Sequence, residues 1–527
     1  MRDFQQPSRS PAISGEAMAA TSHPLATLAA LDVLRAGGNA VDAALAAAAV
    51  LCVAEPQMTG LGGDCFVLYS PKAGLPKALN GSGRAPEKAT AAWFAERGIK
   101  TIDARSPHAV TVPGAVDAWL RLHADYGTKD LAELFLPAIN WAEQGVRITP
   151  RVAFDFNFAQ ATAKSDPDAA KIFAPGGTIL GIGDRLRLPA LAETLKRIVR
   201  DGRKGFYEGE VAADMVGKLN ALGGLHALAD FAAQTSDYVE PISAQYRGYE
   251  VFECPPNGQG IAALLMLRIL SGYDLAGATY GEADRIHLHA EAAKAAYRAR
   301  DNVVGDPAQA KVTVDALLAQ DYAAGLRQKI RLDRAADPAI FDEIEHKHTV
   351  LLCIVDRDRN AIAFINSLFD EFGTGILAPK SGVLLHSRGK IFHTLPGHPN
   401  AIAPGKRPLH TIIPGMLMQA GRAVMPFGVM GGHYQANGHA HYISQILDRG
   451  LDPQAAAEVP RSFAYDGVLQ LERGIGEDIA QDLASRGHRI TRPEKPLGGA
   501  QAVWIDHEKG LLIGGSDPRK DGLALGY

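Results

Sequence analysis

Thr349 opens an apolar run, Val350-Leu351-Leu352-Cys353-Ile354-Val355, in the middle of a long chain. A polar turn, Asp356-Arg357-Asp358-Arg359-Asn360, joins it to a second run, Ala361-Ile362-Ala363-Phe364-Ile365-Asn366-Ser367-Leu368. Apolar runs flanking a short polar loop predict a β-hairpin. If that hairpin is symmetric about Asp358, Thr349 lies opposite Ser367. Directly opposed residues have Cβ atoms about 5 Å apart, within reach of two interacting hydroxyls. A threonine hydroxyl is a poor nucleophile until a base takes its proton. A free α-amino group, with a reference pKa of about 7.7–8.0, is a competent base near neutral pH. Thr349 would acquire one if the His348–Thr349 bond were cut by attack of the Thr349 hydroxyl on the preceding carbonyl, with Ser367 orienting that hydroxyl. The hairpin alone also fits a threonine that simply suits a strand and a serine that satisfies a backbone group.

A second candidate is Gly428-Val429-Met430-Gly431-Gly432-His433, where a strand ends. Successive glycines can turn backbone N–H groups toward one point, as an oxyanion hole requires. They can equally make a tight turn.

The elements that must position these groups fall into two regions. Residues 15–65 read as strand, helix, turn, helix. The first helix stops at Gly37-Gly38, Asn39 caps the Ala-rich second one, and a strand follows at Cys65–Tyr69. Residues 115–240 are mainly helical, with breaks at Pro150, Pro175-Gly176-Gly177 and Gly223-Gly224. A strand is expected at 249–254, helices at 261–271 and 282–302, and an exposed linker at 333–348. From Thr349 the pattern turns to strands at 349–355, 361–368, 376–377, 383–386, 424–429, 467–472, 501–506 and 510–514, with helices at 436–449 and 475–486. The expectation is one α/β unit whose sheets draw on both regions.

Bulk properties set the frame. The chain has 527 residues, 47% of them apolar, enough for a large core. Its net charge of −4, with mixed signs and no basic block, argues against a nucleic-acid binder. Cys52, Cys65, Cys254 and Cys353 form no CxxC pair, so buried reduced thiols are expected. The N-terminal stretch has no apolar signal core, and the run Ala43–Ala54 falls short of the roughly 20 residues a membrane span needs. A cytoplasmic protein is expected. Gly60-Leu61-Gly62-Gly63 lacks the Gly-Lys-Ser/Thr ending of a phosphate loop. His439-Ala440-His441 lacks the i,i+4 spacing of a helical metal pair; His386, His393, His398 and His433 are candidates to line the pocket, with most of them expected on loops or surface. No metal or organic cofactor is expected.

With these residues in view, the chain resembles the γ-glutamyltransferase family of N-terminal-nucleophile hydrolases. The likeness is carried by Leu34-Arg35-Ala36-Gly37-Gly38-Asn39-Ala40-Val41-Asp42-Ala43-Ala44, Pro56-Gln57-Met58-Thr59-Gly60-Leu61-Gly62-Gly63 and Ala109-Val110-Thr111-Val112-Pro113-Gly114. It continues in Phe372-Gly373-Thr374-Gly375-Ile376, Lys406-Arg407-Pro408-Leu409 and Gly431-Gly432. The resemblance implies a four-layer αββα fold and a precursor that cuts itself into a large subunit, 1–348, and a small subunit, 349–527. It further implies Thr349 as nucleophile, Ser367 as supporting hydroxyl, Gly431 and Gly432 as oxyanion donors, and Arg84 as the holder of a substrate carboxylate.

The departures from the family pattern bear on the substrate. Val350 and Leu351 replace the second and third residues of the family's Thr-Thr-His. Phe369 and Ile391 stand where the transpeptidases bind a substrate ammonium, and His410-Thr411 replaces their Ser-Ser pair. An apolar pair cannot satisfy an ammonium. His410 is either a substrate contact or a support. The segment between Phe392 and Lys406 is short, which implies no lid loop. These features are similar to lidless glutathione-hydrolase-like members, and also to oxamate amidohydrolases and glutaryl-type acylases. The expected partner is a small amide bearing a carboxylate, with no nucleic acid and no membrane; a homodimer of processed units is compatible. Three readings stand at this point: a γ-glutamyl amide hydrolase, the same chemistry on an oxamate-like or glutaryl amide, and an uncut binding protein.

Overall fold

The structure is a computed structural model that describes residues 8–72, 74–311, 313–337 and 349–527. Two seven-stranded antiparallel sheets lie at its centre. The first runs Leu523–Gly526, Met18–Thr21, Val350–Val355, Ala361–Ser367, Asp64–Ser70, Lys77–Gly81, Asp237–Val239. The second runs Ala12–Ser14, Leu511–Ser516, Gly499–Asp506, Arg422–Met430, Gly415–Gln419, Tyr249–Glu253, Ile242–Tyr246. Each sheet takes strands from both regions of the chain, so neither region holds a complete sheet.

Period-2 alternation sorts the side chains into layers. Along Val350–Val355, Val350, Leu352 and Ile354 face one helical layer, while Leu351, Cys353 and Val355 enter the core between the sheets. Ile362 and Phe364 likewise face the helices, and Ala361, Ala363 and Ile365 face the other sheet. The second sheet sends Met416 and Met418 inward and Leu417, Phe427 and Val429 toward its own helices, Gly260–Leu270, Glu282–Val303 and Tyr434–Leu447. The result is an αββα sandwich of the N-terminal-nucleophile hydrolase type.

The helix Ala40–Ala54 packs on the hairpin strands and is buried at every position. A helix apolar all round belongs inside a protein, and its alanines let it lie close to the sheet. Asn39 accepts the N–H groups of Val41 and Asp42, and Asp42 returns the bond to the Asn39 N–H at 2.9 Å. The Asp42 carboxylate also accepts the Thr128 N–H at 2.9 Å, tying the helix start to a distant loop.

The expected strands and helices are present with shifted ends. The strand Gly415–Gln419 was not expected. Its sequence, Gly-Met-Leu-Met-Gln, has no β-branched residue, and it is held by pairing with a strand on each side. The helix Pro453–Glu458 and the strands Ser462–Tyr465 and Leu523–Gly526 were also not expected. All four cysteines are unpaired and buried. No helix among the described residues is long and apolar enough to cross a membrane. Of the expected linker, residues 338–348 lie outside the described residues.

Replacing Asp42 by Ala removes a carboxylate that serves two elements. It should lower stability by about 3 kcal/mol, read as a fall in the urea midpoint at unchanged slope.

Candidate active site

The turn between the hairpin strands is closed by Asp356, whose carboxylate accepts the N–H groups of Asp358 and Asn360, both at 3.0 Å. That turn sets the register: Val350 pairs with Asn366, which brings Thr349 opposite Ser367. Their hydroxyl oxygens are 3.0 Å apart and both residues are buried. Ser367 Oγ also accepts the Phe369 N–H at 2.9 Å. Gln435 Nε2 donates to Thr349 Oγ1 at 3.4 Å, and Gln435 Oε1 accepts the Ile413 N–H at 3.0 Å.

Gly431 and Gly432 end the strand Arg422–Met430, with φ of 127° and 59°, a region open chiefly to glycine. The carbonyl of Gly431 accepts from Tyr434 N–H, and that of Gly432 from Gln435 N–H and Gln259 Nε2. The two carbonyls are thus turned to the helix and to Gln259. Among the described residues neither glycine N–H has an acceptor, which is the arrangement an incoming oxyanion needs.

Asp64 pairs with Ser367 across the next strand boundary. Its Oδ1 accepts from the N–H groups of Gly83 at 2.8 Å and Gly114 at 3.3 Å. Its Oδ2 accepts from His410 Nε2 at 2.9 Å and lies 3.2 Å from His386 Nδ1. Burial alone would raise this carboxyl, but His386 and His410 hold it well below the usual carboxylate range. Gly83 cannot be replaced cheaply, since a Cβ there would sit 1.7 Å from the Val112 carbonyl oxygen. The Gly60–Gly63 loop proves to be a packing element: Asn366 Nδ2 donates to the Gly60 carbonyl at 3.1 Å, and a Cβ on Gly62 would lie 2.2 Å from the Leu384 carbonyl oxygen.

His410 is fully buried and pushed down to about 3 by burial and by Arg388, against the pull of Asp64. It is a neutral Nε2–H donor held by Asp64, the geometry of the supporting alternative. Thr411 Oγ1 accepts from Arg388 Nη1 at 2.8 Å, and the Thr411 carbonyl accepts from Gln259 Nε2 at 2.7 Å. Gln259 therefore links Thr411 to Gly432.

Phe369 is buried with a φ of 76°, and Ile391 is buried nearby in the same core cluster. The expected apolar floor carries a cation, however. The guanidinium of Arg388 lies 3.8 Å from the Phe369 ring centre and is wholly buried. Arg84, expected to hold a substrate carboxylate, lies at a partly exposed position. Its guanidinium meets the half-exposed Asp237 at 3.3 Å and the Gly405 carbonyl at 3.4 Å, and it makes no bond to the Thr349 network. An exposed ion pair of this kind is worth at most about 1 kcal/mol and can be exchanged for a ligand. His348 lies outside the described residues.

Asp64, Arg388, Gln259 and Gln435 were not foreseen as site residues. The available signal was an acidic residue at the head of a buried strand. His386 and His433 lie on loops, as expected, but are buried there; His433 Nδ1 accepts from Arg300 Nη1 at 2.9 Å. His439 donates to Glu253 at 2.6 Å inside the core. Among the described residues one set has metal-type donors together, His287, Glu291 and His488, with ligand atoms within 4.8 Å. These donors already engage one another and Arg331, Lys294 and Ala336, and none bonds to the Thr349 network.

The Gamma-glutamyltranspeptidase family model matches residues 26–527. The chain belongs to this family. It is 36% identical over 98% of its length to the glutathione hydrolase-like YwrD proenzyme of Bacillus subtilis strain 168, covering 99% of that protein. It is 33% identical to the oxamate amidohydrolase proenzyme of Klebsiella pneumoniae, covering 98% of this chain and 99% of that one. The crystal structure of a cephalosporin acylase from Bacillus halodurans superposes with a TM-score of 0.93 at 38% identity, covering 100% of this chain and 99% of the other. This γ-glutamyltranspeptidase-family chain is thus an N-terminal-nucleophile amidohydrolase, and the proenzyme names of its relatives support processing of one precursor into subunits.

The low pKa of His410 carries a pH dependence. The unfolded histidine titrates near 6.5, the folded one near 3. Between those values the unfolded chain binds more protons, so the stability from His410 is present above about pH 6.5 and is lost as pH falls toward 3. From pH 7 to pH 5 this residue should account for a loss of roughly 2 kcal/mol. Urea unfolding at both pH values should show a drop that is smaller by that amount in His410→Gln.

Proposed function

We propose that this protein is a self-processing threonine amidohydrolase whose substrate is a small amide with a carboxylate on its acyl half. The observation that carries the reading is the Thr349 hydroxyl, 3.0 Å from Ser367 Oγ at the head of a buried strand, with two glycine N–H groups at the end of the strand Arg422–Met430 that have no acceptor among the described residues. Thr349 Oγ1 attacks the His348 carbonyl, the peptide nitrogen leaves as the new Thr349 amino group, and water hydrolyses the ester. Residues 1–348 and 349–527 remain as large and small subunits.

In turnover the Thr349 amino group takes the proton of the hydroxyl as it attacks the substrate carbonyl. Gly431 and Gly432 stabilise the oxyanion, and Ser367 holds the hydroxyl in line. The proton passes to the departing amine, and an ester remains on Thr349. Water then attacks that ester, releases the acid and restores the enzyme. The shortness of segment 392–406 supports hydrolysis over transfer to a second amine. γ-Glutamyl amides such as glutathione and acid amides of the oxamate or glutaryl kind both meet the carboxylate requirement. Arg84 can hold that carboxylate only by leaving Asp237.

Intact masses under denaturing conditions test the reading. Wild type should give two fragments meeting at 348/349, and Thr349→Ala should stay whole and lose at least about 10³-fold in turnover. Ser367→Ala should slow both cleavage and turnover by about 10²-fold. A wild-type chain that remains uncut after long incubation would remove the amino-group base and leave the binding-protein reading.

A further inference from the structure

Arg388 stands at the start of the short turn Arg388–Ile391 and has no exposed surface. One of its nitrogens is committed, Nη1 donating to Thr411 Oγ1 at 2.8 Å. Its Nε and Nη2 have no hydrogen-bond acceptor among the described residues. These two nitrogens form one edge of the guanidinium, the edge that grips a carboxylate with two parallel bonds. The carboxylates nearby are already engaged. Asp64 is bonded by Gly83, Gly114 and His410, and its Oδ2 is 4.0 Å from Arg388 Nε. Asp370 Oδ2 accepts from Ser387 Oγ at 2.8 Å and pairs with Lys390 at 3.3 Å.

The position of this edge matters. The flat face of the guanidinium is covered by the Phe369 ring, and the Phe369 N–H is bonded to Ser367 Oγ, the partner of Thr349. On the other side Thr411 is tied through Gln259 to Gly432. Arg388 therefore sits between the two arms of the site, anchored to both. Burial pushes its pKa down to about 9 although Asp64 and Asp370 pull it up, as expected of a cation short of partners.

We propose that Arg388 holds the carboxylate of the acyl group, and that the enzyme prefers monoamides of short dicarboxylic acids, of the glutaryl type, to γ-glutamyl amides. This rests on Thr349 being the nucleophile. A γ-glutamyl group differs from a glutaryl group by an ammonium beside the carboxylate. Here that ammonium would meet the Arg388 cation and the apolar Phe369 and Ile391, with no acceptor from any of the three side chains.

The test compares the self-processed wild type with Arg388→Gln and Arg388→Lys on three p-nitroanilides: glutaryl, γ-L-glutamyl and valeryl. Wild type should favour the glutaryl over the γ-glutamyl compound by about 100-fold in kcat/KM. Arg388→Gln should lower the glutaryl value mainly through KM, by at least about tenfold more than the valeryl value. Arg388→Lys should recover part of the loss. Glutarate should inhibit wild type competitively, at least about tenfold more tightly than L-glutamate. The assignment falls if γ-glutamyl is cleaved as well as glutaryl, if the glutaryl and valeryl rates fall together in Arg388→Gln, or if a processed wild type cleaves none of the three. An uncut wild type would instead sink the Thr349 reading, and this one with it.

Discussion

The buried carboxylate of Asp64 is the constraint on which the site depends. It faces Ser367 across the sheet and gathers donors from Gly83, Gly114 and His410. Each comes from a different stretch of chain, so one residue fixes where four segments meet. A carboxylate taken out of water costs several kcal/mol, and only a nearly complete shell of donors offsets that. Asp64 has such a shell. It can stay ionised while His410 beside it stays neutral, and the strand carrying Ser367 is held against something rigid.

The sheet order has a consequence for cleavage at 348/349. Val350–Val355 lies between Met18–Thr21 and Ala361–Ser367, and Arg422–Met430 lies between Gly499–Asp506 and Gly415–Gln419, which in turn pairs with Tyr249–Glu253. Both sheets thus hold backbone ladders between the two products. Separating them would open strand edges in each sheet and expose the core between the sheets. Under the proposed cleavage, Thr349 would change its chemistry without either piece being released.

What was legible in the sequence was local. The hairpin register followed from a polar turn between two apolar runs, and Asn39 as a cap followed from its place before an alanine-rich helix. The strand Gly415–Gln419 was not legible, because its residues carry no strand preference and its neighbours decide its state. Asp64, Arg388 and Gln259 were not legible as site residues for a related reason. Their roles arise from partners about 20 to 350 positions away, such as the His410 that meets Asp64. Arg84, whose surrounding sequence fits an anion-holding arginine, is paired with the half-exposed Asp237, a partner no local pattern announced.

Asp64 and Arg388 together explain why this interior tolerates an incompletely bonded cation. The two lie 4.0 Å apart at closest approach, near enough for attraction and too far for a hydrogen bond. Were Asp64 free to turn, it would close on Arg388 and form a satisfied pair. It is not free, because the Gly83 and Gly114 amides and the His410 ring fix both of its oxygens. Arg388 cannot move toward it either, being clamped by Thr411 and seated on Phe369. Leaving donors unbonded in such a place costs about 1–3 kcal/mol each. The rigidity that denies Arg388 an internal partner also holds its Nε and Nη2 fixed and unbonded among the described residues. Pre-organisation of this kind exchanges stability of the empty protein for binding of the occupied one.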